Sequence, residues 1–209
     1  MTSVTSREGA ESTVGASPSD RGSQLLRDVL PASWGLLRGT SARPRGWRRR
    51  PPVEVEVAAL LAQLGDGWTI LRAWDALAEL GADFVVVGPP GVFTITAARP
   101  TGGNVWVDER VLWINGRPTD HVRVARRCAD RAETIMSDLA GVPVAVTPVV
   151  ALLDPVDLRF GGDAARRVRV LPADILVRSL VESTVVHSTQ AVDYLSTVAE
   201  ECSTWNALR

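Results

Sequence analysis

At 209 residues and 22.5 kDa, 45% hydrophobic, the chain has the mass of one ordinary domain and enough apolar bulk for a sizeable core. A formal net charge of -1 excludes a uniformly basic nucleic-acid coat protein. All 23 basic residues are Arg, so every mechanism that needs a lysine nucleophile, a Schiff base or a phosphate-gripping P-loop lysine is excluded as well.

The two cysteines, Cys128 and Cys202, are far apart and lack ligand spacing, which argues against a disulfide framework or a cysteine zinc site. His121 and His187 stand apart from any catalytic partner in sequence and receive no role. The N-terminus, MTSVTSREGAESTVGASPSD, has no apolar stretch of the kind a secretory signal needs. The longest apolar run, Val142–Leu153, contains two Pro and is too short to span a bilayer. A cytoplasmic protein with no membrane contact is the expectation.

Charge divides the chain in two. Residues 1–52 carry nine Arg against Glu8, Glu11, Asp20 and Asp28, a net of +5, whereas residues 53–209 carry 14 Arg against 20 acids, a net of -6. The first part reads as a disordered, basic N-terminal segment, since its opening residues are Ser/Thr/Gly-rich and hold too little apolar mass to offset ordering entropy. Inside it, Leu25, Leu26, Val29 and Leu30 recur at helical spacing up to Pro31, and Trp34, Leu36 and Leu37 follow. The stretch Leu25–Leu37 is thus a candidate to dock a partner helix or the domain itself. Arg38–Pro52 reads either as a phosphate-binding arm or as a solubilising linker.

From Val53 onward the periodicities are those of a folded unit. Val57, Leu60, Leu61 and Leu64 share one helical face, ended by Gly65–Gly67. Trp68–Trp74 alternates as a strand. Ala82–Val87 and Val92–Ala97 are apolar runs joined by a Gly-Pro-Pro-Gly turn, the pattern of a hairpin. Val105–Val107 and Val111–Ile114 form a second hairpin, closed by Asn115–Gly116. Thr119–Leu139 turns helical, with Ala125, Cys128, Ala132, Ile135, Met136 and Leu139 as its buried stripe and Gly141 as its cap. Pro143–Leu152 is a buried strand and Val168–Leu171 a short one. Helices over Pro172–Leu180 and about Ser188–Cys202 end the chain.

The helix VEVEVAALLAQLGDGWTIL, the strands ADFVVVGPPGVFTITAA, the hairpin VWVDERVLWINGRPTDHVRVARRCA and the strand VPVAVTPVV together resemble the nuclease-related domain in the version common in actinobacteria. VVVGPPGVFT is the most specific part. The resemblance covers about half the chain and extends to Ser203–Trp205. It implies an α/β fold of the restriction-endonuclease-like kind, a three-layer core with a mixed β-sheet flanked by helices, within the PD-(D/E)XK nuclease superfamily.

The site that the resemblance implies needs a Glu on the first helix and an Asp on the second strand to hold a divalent metal. The next strand supplies a carboxylate or amide and, two residues on, a Lys. That spacing puts both on one strand face. The carboxylates hold Mg²⁺ through hard oxygens, the metal activates water, and the Lys meets charge on the phosphate.

In this chain the Glu matches Glu54, with Glu56 as the alternative register, and the Asp matches Asp83. The carboxylate position is Thr96 and the Lys position is Ala98, so half the site is replaced. Arg99 lies one residue on and points to the other face. It grips a phosphate only if the strand ends or bulges there.

The bland readings are that Glu54 and Glu56 are first-turn helix acids favoured by the dipole, and that Asp83 pairs with an Arg. Arg123 and Arg126 match arginines frequent in this family subgroup and are candidate nucleic-acid contacts. The bland alternative is a solvated helix face. Trp106 and Trp113, facing across a hairpin, read as a stacking platform or as ordinary cross-strand packing.

The expectation is therefore a catalytically inactive nuclease-related domain acting as a nucleic-acid-binding or regulatory module, with DNA or a protein docked through Leu25–Leu37 as the candidate partners. No cofactor is required, and Mg²⁺, held weakly by Glu54 and Asp83, enters only with residual activity. The alternatives are a weak Mg²⁺-dependent DNA nuclease and a protein-interaction module. Replacing Thr96→Asp together with Ala98→Lys is expected to move the protein toward activity.

Overall fold

The computed structural model describes residues 52–100, 102–108, 110–161 and 167–205. The expectations for residues 1–51, including the Leu25–Leu37 docking segment and the arginine-rich stretch, lie outside those residues.

Helix α1 (Val53–Leu61) opens the fold and is followed by β1 (Thr69–Arg72), the single turn α2 (Asp75–Ala78), β2 (Phe84–Gly88) and β3 (Gly91–Ala98). Next come β4 (Asn104–Val107), β5 (Leu112–Ile114), β6 (Arg117–Thr119) and the long helix α3 (His121–Ala140). The chain continues through β7 (Val146–Leu152), β8 (Asp157–Phe160) and β9 (Arg169–Pro172). A short 3₁₀ turn, α4 (Leu176–Val181) and α5 (Thr189–Trp205) complete it.

The strands form two mixed sheets. The larger has the order β1-β2-β3-β7-β9, antiparallel across β1-β2-β3 and parallel across β3-β7-β9. The smaller has the order β6-β5-β4-β8, with only β4 and β8 parallel.

Period-two alternation sorts the large sheet's side chains onto two covered faces. Phe84, Val86, Phe93, Ile95, Val149 and Ala151 meet Val57 and Leu61 of α1 and Leu176 and Leu180 of α4. Val85, Val87 and Val92 meet Cys128, Ala132 and Met136 of α3 and Val192, Leu195 and Val198 of α5. The result is three layers, helices on both sides of a mixed sheet. A third apolar cluster, with Ala98, Val150 and Leu152 against Val105, Val107, Leu112 and Val122, seats the small sheet at the end of the large one.

The local chemistry explains the strongest elements. At the β2–β3 turn the Trp68 ring lies so close over Gly88 that no Cβ fits, and Gly91 takes φ +137°, so both ends of the Gly-Pro-Pro-Gly turn need glycine. Gly141 ends α3 in the left-handed conformation at φ 65°, the expected cap. Pro148 sits in central strand β7, but pairing with β9 starts only at Val149, so its missing N–H falls where that neighbour is absent.

Four segments depart from the sequence expectation. Asn115 (φ 52°) and Gly116 (φ 75°) do not close the β4–β5 hairpin; they turn β5 into the unexpected strand β6, through the left-handed pair that a two-residue hairpin requires. Strand β8 and the turn α2 were also not foreseen. The first helix ends at Leu61, and Leu64 is buried from the turn that follows.

Candidate functional site

Glu54 and Glu56 both lie in the first turn of α1, where the helix dipole favours acids. Asp83 precedes β2, on the strand face shared with Val85. It is close enough to Cys128 of α3 for its charge to raise that thiol's pKa, and close enough to Glu54 for that carboxylate to help raise the pKa of Asp83. The sequence-expected pair Glu54 and Asp83 is thus brought into one neighbourhood.

The Asp83 carboxylate already has a structural occupation. Its Oδ2 accepts the backbone N–H of Ala97 at 2.6 Å, while the Asp83 N–H donates to Ile95 O at 2.8 Å and the Asp83 carbonyl accepts from Ala73 at 2.9 Å. Registered pairing of β2 with β3 starts at Phe84–Ile95, so a side-chain oxygen meets the β3 donor just beyond it. The partner that a carboxylate at this edge requires is therefore a backbone amide. Burial pushes the Asp83 pKa above the usual carboxylate range; the Ala97 hydrogen bond opposes that, Glu54 adds to it and Arg72 opposes it.

Thr96 and Ala98, the positions implied for the second carboxylate and the Lys, are each 5% exposed on the α3-facing side of β3. The Thr96 hydroxyl is buried without a hydrogen-bond partner, as is that of Thr94 two residues earlier. Ala98 is packed by Val105, Val107 and Leu112 of the small sheet.

Arg99 follows the alternation and turns to the α1 side. It is ion-paired with Glu56 and lies 3.5 Å, Nε to Oδ2, from Asp154 in the β7–β8 loop. Its side chain is only 15% exposed. The guanidinium is a strut between α1 and that loop, and Glu56 is its counter-ion. Of the two α1 acids, Glu56 pairs with Arg99, and Glu54 is the one near Asp83.

The carboxylates do not assemble a metal centre. Among the described residues no group of three or more His, Cys, Asp or Glu is placed to hold a metal ion. One Asp83 oxygen is committed to Ala97, the next position offers a buried neutral hydroxyl, and the position after that a methyl group. These residues do not fit the divalent ion that the resemblance implies.

The arginine face of α3 is exposed at Arg123, Arg127 and Arg131, with Arg126 half-buried. Arg123 is paired with Asp120 at 2.7 Å, both side chains well exposed, so its charge is partly spent at the helix start. His121 packs half-buried, with Nδ1 2.9 Å from Thr119 Oγ1, and burial lowers its pKa.

Two concave surfaces accompany these residues. One, of about 670 Å³, is lined by Glu56, Leu60, Leu153, Asp154 and Asp174 beside the Arg99 strut. The other, of about 550 Å³, lies on the outer face of the small sheet between Trp106, Trp113 and Arg159. Neither Asp154 nor Arg159 belongs to the motif that the sequence suggests. The Leu158–Phe160 alternation was the available signal for Arg159, and nothing local marks Asp154.

Comparison with protein-family models, with curated proteins and with solved structures finds no match. Among the described residues no helix is long and apolar enough to cross a membrane.

Proposed function

We propose that the chain is a nuclease-related domain of restriction-endonuclease-like fold that no longer cleaves phosphodiesters and acts as a nucleic-acid-binding or regulatory module. The observation that carries this reading is the pair Thr96 and Ala98, both 5% exposed on the same face of β3 where the motif calls for a charged metal ligand and a cation. Neither supplies charge, and the surviving Asp83 is engaged with Ala97. A loosely held ion with no cation to meet developing phosphate charge forfeits most of the rate enhancement, since a positioned acid–base group alone contributes roughly 10²–10⁴-fold.

The competing reading, a weak Mg²⁺-dependent nuclease using Glu54, Asp83 and Arg99, requires Arg99 to leave Glu56 and Asp154 and to cross to the other strand face. The deciding experiment is plasmid cleavage with Mg²⁺ or Mn²⁺ beside the Asp83→Ala variant. The expected result is no metal-dependent nicking by either protein. Metal-dependent nicking that Asp83→Ala abolishes establishes the enzyme instead. Titration of labelled DNA at several salt concentrations then separates a nucleic-acid module from a protein-interaction module.

A further inference from the structure

The outer face of the small sheet carries a cross-strand row of planar groups. Trp113 on β5 is registered with Trp106 on β4, and Trp106 with Arg159 on β8. Side chains directly opposite on neighbouring strands project to one face, so both indoles and the guanidinium border the same groove of about 550 Å³. The opposite face of these strands, with Val105, Val107, Leu112 and Leu158, is consumed by the core. The row is not an overflow of that core.

Two details hold the row in place. Trp106 is 48% exposed, yet its indole rests on the Gly161 backbone, where an added Cβ would lie 2.7 Å from Cζ2. Arg159 is 71% exposed, and its Nε donates to Asp157 Oδ2 at 2.7 Å. Asp157 offsets the guanidinium charge. The groove is close to neutral, with Asn104 and Asp157 among the residues that line it.

We propose that this groove binds unpaired bases of single-stranded nucleic acid, by stacking on Trp106, Trp113 and Arg159 rather than by neutralising phosphates. The inference rests on the nucleic-acid reading above and gives it a site whose lining does not include Asp83. An unpaired base presents a face to an indole, whereas a base within a duplex is covered by its neighbours. The charge balance around the groove favours this mode: residues 53–209 carry a net of -6, so phosphate attraction to this part of the chain is not the source of the groove's affinity.

The test is fluorescence anisotropy with a short labelled oligothymidylate and, separately, a matched duplex. Wild type is expected to bind the single strand and to discriminate against the duplex. Its log–log salt slope should be shallow, of the order of a single phosphate contact. Trp106→Ala is expected to weaken binding about 5- to 100-fold, the range of one base–aromatic stack, with Trp106→Phe recovering part of the loss. Arg159→Ala, at an exposed side chain, keeps the fold and should weaken binding as well.

Binding of the oligonucleotide that neither Trp106→Ala nor Arg159→Ala alters overturns the groove and leaves the nucleic-acid reading standing. Equal affinity for duplex overturns the stacking mode. No binding of either oligonucleotide, or binding of a neutral oligosaccharide in their place, overturns both the groove proposal and the nucleic-acid reading.

Discussion

The Asp83 carboxylate accepts the Ala97 N–H at 2.6 Å, and this contact makes a backbone partner of the residue that the motif would use as a metal ligand. Two substitutions separate the roles. Asp83→Asn keeps an oxygen for Ala97 and removes a buried charge, so it should fold with unchanged or higher stability at neutral pH. Asp83→Ala leaves the amide unpaired and should cost about 1–3 kcal/mol.

The pH dependence has a defined sign. Because burial raises the folded pKa above the ordinary 3.8, Asp83 favours the folded state while protonated, and that contribution is lost as pH rises through the raised value. The Tm advantage of Asp83→Asn should therefore shrink on acidification toward pH 4. A variant less stable than wild type at neutral pH, or stabilisation of wild type by millimolar Mg²⁺ that Asp83→Asn abolishes, refutes the backbone role.

Thr96 has a buried hydroxyl with no partner. Replacing an unsatisfied buried hydroxyl by a methyl of similar shape removes a desolvation cost without opening a cavity. Thr96→Val should keep or raise Tm and leave oligonucleotide affinity unchanged. A marked loss of stability would show that the hydroxyl is engaged after all.

The Arg99 strut predicts a stability phenotype. Arg99→Ala strands Glu56 half-buried beside α1 and loosens the β7–β8 loop, for a cost of about 1–3 kcal/mol. Glu56→Gln, which retains a hydrogen-bond acceptor, should cost less. Denaturant midpoints measure both, and equal midpoints for wild type and Arg99→Ala would remove the strut.

Much of this architecture is readable from side-chain pattern, and what is not readable has identifiable causes. The Gly88–Gly91 hairpin and the α3 stripe ending at Gly141 are signals carried by a long periodic run or by a turn that only glycine satisfies. Strands β6 and β8 have three and four residues, and one holds Pro118, so neither pattern exceeds the noise of a loop. Within the site, strand alternation correctly sends Arg99 away from Ala98. Its pairing with Asp154, 55 positions later, is a tertiary fact with no local signature. The same is true of Asp83, whose partner is a main-chain amide that every residue except proline possesses.

Both cysteines are buried, and burial pushes each thiol up to about 11. The thiolate is the reactive form, so native protein should resist alkylation near neutral pH and react fully only when unfolded. The sign for stability follows from a raised folded pKa. The contribution is present below the unfolded value of 9.0 and is lost as pH rises toward about 11. Rapid labelling of native protein by a thiol reagent at pH 7 would contradict the burial of Cys128 under α3.

The replacement pair Thr96→Asp with Ala98→Lys, which restores the missing groups on paper, is expected to do something else once the packing is known. Residue 96 lies on the strand face that carries Asp83, and an added carboxylate there would be buried and opposed by its neighbours, which raises both pKa values. Residue 98 is buried among Val105, Val107, Leu112 and Val122, an apolar setting for an ammonium. Burying either charge unpaired costs several kcal/mol, a large share of a typical domain's 5–15 kcal/mol. The double variant should therefore show a lowered Tm and no plasmid nicking, and the single Ala98→Lys should account for most of the Tm loss. If the double variant instead melts with wild type and nicks plasmid only with Mg²⁺, the β3 face opens in solution, and the two side chains are all that separates this chain from an active nuclease.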